Sequence, residues 1–518
     1  MAEGFQVARL IPVSGINSNT EAEMRATSAL LAVLTIVRDF SIAVLSPLGA
    51  STARKAKVEA FTETSFKLND GTIVRPDGLV QVTYGSSVWK ALVEVKTGSN
   101  TLEAEQLNTY LALARQQGID AVLTISNEIG IGGQHPCAGV RVRSNSKVRL
   151  AHLSWTELLA HALRAKVHRG IDDPEQAWIL GELIRYLEHP ASGAMELRDM
   201  GPHWTTARDA ARAGTLRRSD AECRDLVQRW DQVLRFAALR LGSSTGVDVQ
   251  PVVPRSQSDP NDRANHLADS LTTNGVLDGR LRIPGAVGDL EVAADLRARQ
   301  ITTAVEVPAP TDRGSRARVT WLLRQLGGEA PDDLVIESWP RMARQPLVAG
   351  LSAAQEQRDL LLDPDRREIL RFRVVRRAEM GQSRKDGGRS PGFIESTTKA
   401  IEDFYSAVVQ QIVPWTAKPP QARPSSRAAE SSNEPIEGGR DLDQAIGACP
   451  GVGVQPGIRR LVSLGRGRIG RRPRPARRSR ARARGPRRLG VTVDLLCQDV
   501  DPSPPALGRP ALERVALP

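Results

Sequence analysis

Residues 72–97 read TIVRPDGLVQVTYGSSVWKALVEVKT, and the fold is decided there. Two β-rich runs, Thr72–Tyr84 and Ser87–Thr97, flank the turn signal Gly85-Ser86. Side chains alternate along a strand, so Glu94 and Lys96 share one face while Val93 and Val95 point to the core. A hairpin-like connection brings Asp77, in Arg75-Pro76-Asp77, beside Glu94. Two carboxylates and one amine then converge at a sheet edge. Paired carboxylates suit a hard, oxygen-seeking cation such as Mg²⁺, which polarises a phosphate and helps to generate hydroxide. A neighbouring Lys orients water or offsets developing charge.

Outward from this hairpin the pattern is helical on both sides. Thr20-x-x-Glu23 predicts a capping box for a first helix, and Leu30, Leu31, Val33, Leu34, Ile36 and Val37 make that helix a core element. Residues 53–68 read as helical or as a helix-to-strand segment. Leu107, Tyr110, Leu111 and Ala114 at i, i+3, i+4, i+7 predict a helix over 101–117, which places Gln106 and Tyr110 on one flank. Strands at Ala121–Ile125 and Val148–Ser154 and a helix from Thr156 complete an α/β unit over 20–168. Beyond it the expectation is a helical region over 172–245, a linker over 246–262, an α+β domain over 263–416 and a disordered Arg-rich tail over 417–518.

Composition narrows the function. Lys and Arg total 71 against 59 Asp and Glu, a net of +12. Residues 449–518 carry 16 Arg and four acids, which leaves 55 basic and 55 acidic residues in 1–448. The excess charge therefore says nothing of the folded part. The tail reads either as a polyanion-binding arm or, preferably, as an out-of-frame read of a GC-rich gene. Four scattered cysteines argue against a disulfide framework and a zinc site. No secretory signal or membrane-length apolar run occurs, so a cytoplasmic chain without a membrane partner is expected. Neither a GxxxxGK[ST] loop nor an HExxH helix is present. Lysine is scarce, ten residues against 61 Arg, which singles out Lys96.

Pro76-Asp77, Glu94-Val95-Lys96 and Gln106-x-x-x-Tyr110 together resemble the PD-(D/E)xK nuclease superfamily, in its RecB-like branch. The resemblance covers about residues 20–165. It implies a restriction-endonuclease-like mixed sheet flanked by helices and hydrolysis of DNA phosphodiester bonds. It further implies Mg²⁺ or Mn²⁺ held by Asp77, Glu94 and the Val95 carbonyl. Lys96 would assist the attacking water, and Gln106 and Tyr110 would support the site or touch the nucleic-acid backbone. Glu63, with Glu59 competing, would be an extra helix carboxylate. DNA is the partner so implied, with a homodimer left open.

Two other readings stand beside it. One is a catalytically silent, nuclease-like scaffold in a bacterial stress response. The other is a non-catalytic nucleic-acid binder acting through residues 366–389 and the tail. That segment has nine basic residues against three acids, and Arg371 and Arg373 share a strand face from which they track phosphates or merely guard a solvated edge. Residues 289–338 echo the strand-strand-helix-strand order of the first unit, but Pro308 stands where the first unit has its lysine.

Overall fold

The structure, a computed structural model, describes residues 8–131, 134–142, 145–327 and 330–417. The expected tail lies, apart from residue 417, outside them. The described chain is mixed α/β and is built on two principal sheets. The first comprises β1 (Lys57–Thr62), β4 (Gly78–Tyr84), β5 (Ser87–Val95), β6 (Ala121–Ser126) and β7 (Arg149–Ser154), in the order β1-β4-β5-β6-β7. A ribbon of β2 (Phe66–Lys67) and β3 (Ile73–Val74) lies between β1 and β4 in the chain. The three strands β1, β4 and β5 are antiparallel neighbours, whereas β5, β6 and β7 run parallel. Every residue of β6 is buried, as a strand with parallel neighbours and both faces covered requires.

Helices α1 (Asn19–Ile36), α2 (Arg38–Leu45), α4 (Trp155–Leu163) and α5 (Pro174–Leu187) cover one face of this sheet. Their Leu30, Leu34, Phe40, Trp155 and Leu183 pack with Val93 and Val95, each such burial stabilising the fold by roughly 1.5–3 kcal/mol. On the other face α3 (Ala104–Gln117) buries Leu107 and Leu111 against Leu92 and Val122. Part of the segment read as helical or helix-to-strand over 53–68 is β1. The cap of α1 also differs from expectation. Ser18 Oγ accepts from the Glu21 N–H and Glu21 Oε2 accepts from the Asn17 N–H, so the box is Ser18-x-x-Glu21. Glu23 is thereby free of capping.

The second sheet holds β8 (Gln250–Pro251), β9 (Val276–Arg282), β10 (Leu290–Asp295), β11 (Gln300–Pro308), β12 (Val335–Pro340), β13 (Leu347–Gly350) and β14 (Ile369–Glu379). Its order is β13-β12-β14-β11-β10-β9-β8, with each neighbouring pair antiparallel. The core on its covered face takes residues from α6 (Trp204–Ala213), α7 (Ala221–Thr245), α8 (Pro260–Asn274), α9 (Ser315–Leu326), α10 (Leu351–Glu356) and α11 (Phe393–Phe404).

The helical region expected over 172–245 is thus divided: α5 belongs to the first core, α6 and α7 to the second. The expected linker over 246–262 contains β8 and the first turn of α8. An apolar stripe announces burial but does not name the sheet that receives it. The echo of the first unit also fails in detail. Strands β5 and β6 are adjacent, whereas β14 lies between β11 and β12. Among the described residues no single helix is long and apolar enough to cross a membrane.

Candidate functional site

Antiparallel register sets Gly78 of β4 opposite Val93 of β5, so the preceding residue, Asp77, lies beside Glu94. Asp77 Oδ2 accepts from the Val95 N–H at 2.8 Å. Glu94 is fully buried, and Lys96 Nζ stands 2.8 Å from its Oε1. That contact is ionic but off the direction of a good hydrogen bond, and both Glu94 oxygens remain without a hydrogen-bond partner. Burial, then the charge of Asp77, pushes the Glu94 carboxyl up to about 7. Burial likewise raises Asp77, against the pull of the Val95 N–H and Lys96. Burial alone would lower the Lys96 ammonium; contact with Glu94 and the fields of Glu23 and Asp77 outweigh it and raise it.

The helix behind the strands supports this cluster. Gln106 Nε2 donates to the Tyr110 hydroxyl at 3.0 Å, and that hydroxyl donates to the Arg75 carbonyl at 3.4 Å. Burial first, and the neighbouring Glu94 charge second, raise the Tyr110 phenol far above its usual range, so it stays neutral. Asp77, Glu94, Val95, Lys96, Gln106 and Tyr110 are therefore brought together as expected from the sequence.

Other expectations need correction. Glu63 is on no helix; it is exposed on the turn after β1 at φ +52°, with its backbone N–H on the Asp77 carbonyl. Its competitor Glu59 lies on β1 and pairs with Lys57 at 2.6 Å. The helix carboxylate near the cluster is Glu23, whose Oε1 accepts from the Thr97 N–H at 3.2 Å and from Asn100 Nδ2 at 2.8 Å. In sequence, Glu23 carries the signal of a cap, three residues after Thr20. Arg371 and Arg373 belong to β14 in the second sheet. Arg373 is held by Glu291 at 2.9 Å and Glu337 at 3.1 Å, and Arg371 pairs with Glu306 and lies over Trp339. Both guanidiniums are thus engaged by carboxylates of neighbouring strands.

Two fixtures of the lysine escaped sequence reasoning. Trp155 Nε1 donates to the Lys96 carbonyl at 2.9 Å, and the Lys96 N–H donates to the Ile125 carbonyl at 2.7 Å. The connection between α5 and α6 presses on the next turn: the Gly98 N–H donates to the Gly193 carbonyl, and a Cβ on Gly193 would stand 2.8 Å from that of Thr97. The spacing Gly242-Ser243-Ser244-Thr245-Gly246 mimics a serine-hydrolase elbow, yet Ser244 sits in the last turn of α7 and donates to the Leu241 carbonyl at 3.0 Å.

Beside Glu94 across the parallel strands come Thr124 and then His152. The Cys137 N–H donates to His135 Nδ1, which makes Nε2 the protonated nitrogen of His135, 2.8 Å from Thr124 Oγ1. The Glu128 carbonyl accepts from His152 Nε2, which leaves His152 Nδ1 to accept from the Thr124 hydroxyl at 2.9 Å. Burial lowers both imidazoles to about 4, so both are neutral at pH 7.

Among the described residues no three His, Cys, Asp or Glu side chains are grouped to enclose a metal ion by themselves. Asp77 and Glu94 instead stand as two adjacent carboxylates at one end of β4 and β5, the second fully buried beside Lys96. No family model, curated protein or solved structure matches the chain.

Proposed function

We propose that this protein is a metal-dependent nuclease that hydrolyses DNA phosphodiester bonds on a restriction-endonuclease-like, PD-(D/E)xK first unit. The observation that carries this reading is the convergence of Asp77, Glu94 and Lys96 at one sheet end, with the Gln106–Tyr110 pair behind. Asp77, Glu94 and the Val95 carbonyl would hold Mg²⁺ or Mn²⁺. The buried Glu94 carboxylate, which makes an ion pair with Lys96 but no hydrogen bond of good geometry, supports that assignment. A bound divalent ion would supply Lewis-acid polarisation of the phosphate and a more acidic water. Lys96 would hold that water and offset charge on the phosphate, with Trp155 fixing its backbone. Gln106 and Tyr110 would brace the Arg75–Asp77 segment and touch the nucleic-acid backbone.

The decisive experiment is a Mg²⁺- or Mn²⁺-dependent cleavage assay on plasmid, linear duplex and single-stranded DNA, with Asp77→Ala and Lys96→Ala alongside. Each substitution should lower cleavage by roughly 100-fold or more. Activity that survives both, or absent activity in the wild type, rejects the reading. A second reading, a silent scaffold of the same fold, draws on the zero net charge of residues 1–448, because phosphate binding ordinarily leaves a basic footprint.

A further inference from the structure

A cleft of about 550 Å³ opens where β7, at the edge of the first sheet, faces β8, at the edge of the second. Leu150, Ala151 and His152 of β7 line one side, and Pro251 and Val253 line the other. Its charges cancel in pairs. Arg235 joins Glu157 at 2.5 Å, and Arg263 joins Asp231 at 3.2 Å. Gln250 is engaged by Arg235 and Asp248, Gln257 Oε1 accepts from Arg263, and the Ser258 hydroxyl donates to the Arg255 carbonyl. The Gln134 amide, Gln257 Nε2 and the Ser258 Oγ lone pairs are what the cleft offers a ligand.

These walls select a chemistry. A phosphate or an acidic peptide needs an uncommitted cation, and both guanidiniums here are neutralised. A purely apolar ligand would cover the Gln134 amide, Gln257 Nε2 and Ser258 Oγ without satisfying them. A planar, uncharged ring with hydrogen-bonding edges meets both conditions, because its faces rest on aliphatic walls while its edges meet amides. The place fits as well. Glu94, Thr124 and His152 form one row across three neighbouring strands, and at ~4.8 Å per strand the cleft wall lies roughly 10 Å from Glu94. That is within reach of a nucleotide flanking a phosphate held at Asp77 and Glu94. The hydrogen-bonded chain through His135, Thr124 and His152 holds that wall in place.

We propose that this cleft receives an unpaired nucleobase, either from a strand bound at the Asp77–Glu94 site or from a free nucleoside. The strand-bound form rests on the nuclease reading above; the base pocket itself does not. The test uses the full chain in chelator, where no metal-dependent cleavage proceeds. Affinity is measured for a labelled single-stranded DNA and for its blunt duplex, with free nucleosides as competitors. Val253→Met and Ser258→Leu each enlarge a lining side chain without adding a ring or a charge. Each should weaken single-strand binding roughly tenfold or more and leave duplex binding unchanged.

Competition by free nucleosides against the wild type supports a pocket that takes the base alone. Loss of strand binding without such competition supports the strand-bound form. If the wild type binds no single strand, or if both variants melt like the wild type and bind like it, the proposal is overturned. Cleavage with Mg²⁺, assayed in parallel, separates the two claims. Unchanged strand binding in an active enzyme rejects only the pocket, and weakened binding in an inactive one rejects only the nuclease.

Discussion

Asp77 Oδ2 accepts a hydrogen bond of 2.8 Å from the backbone N–H of Val95, so the residue between the two other chemical groups of the site anchors the third. Val95 lies between Glu94 and Lys96, and its side chain is buried in the opposite core. Any shift of β5 against β4 therefore moves the carboxylates and the lysine together. Four measurements follow from that coupling and its supports.

Gly78 follows Asp77, and a Cβ there would stand 2.5 Å from Leu31 Cδ1 and 3.2 Å from the Phe61 carbonyl. Gly78→Ala should cost about 1–3 kcal/mol in urea unfolding and lower cleavage by displacing Asp77. Leu31→Ala in the same chain opens room for the methyl, so the two costs should be clearly less than additive. Additive costs would show that Leu31 is not the obstacle.

Trp155→Phe keeps most of the buried ring but removes the donor to the Lys96 carbonyl. Expected are a loss of about 1–3 kcal/mol and a fall in kcat larger than any change in KM. Wild-type kinetics in this variant would deny Trp155 a positioning role.

Glu23→Gln retains an acceptor for the Thr97 N–H while deleting a charge near Asp77 and Lys96. Cleavage should drop roughly 10- to 100-fold, with a higher Mg²⁺ requirement. Glu63→Gln, on the exposed turn, should change neither. Equal effects from the two would return the role to Glu63.

Acid sensitivity should report on the histidine chain. His135 and His152 titrate near 4 when folded, against 6.5 for an ordinary imidazole. The unfolded chain therefore binds more protons between these values. Their contribution to stability is complete above 6.5 and falls as pH drops toward 4. Thermal melts from pH 7.5 to 4.5, taken as the difference between wild type and His135→Gln, should show the variant's deficit shrinking on acidification. A deficit that stays constant with pH would mean that His135 is not held neutral.

The chemical core was legible because its members are local. Asp77, Glu94 and Lys96 belong to one hairpin, and Gln106 and Tyr110 to the helix that follows it, so alternation and i, i+4 spacing suffice to align them. Glu23 reads as a capping residue from sequence, because Ser18-x-x-Glu21 and Thr20-x-x-Glu23 are equivalent patterns. Only the Asn17 and Thr97 contacts distinguish them. The arginines of β14 read equally as phosphate contacts or as an edge guard, because their partners, Glu291, Glu306 and Glu337, come from three other strands.

By itself the sequence determined the β4–β5 hairpin, the α3 flank and the residue types that meet at their end, since each depends on neighbours a few positions apart. Tertiary structure decided that Glu23 approaches the cluster, that Trp155 and Gly193 brace the lysine turn, and that α5 joins the first core while α6 and α7 join the second. It also set the edges of two sheets face to face across a cleft. The physical reason is that burial is non-directional: an apolar stripe or a charged side chain states that it needs a partner, and only packing of distant segments chooses which one.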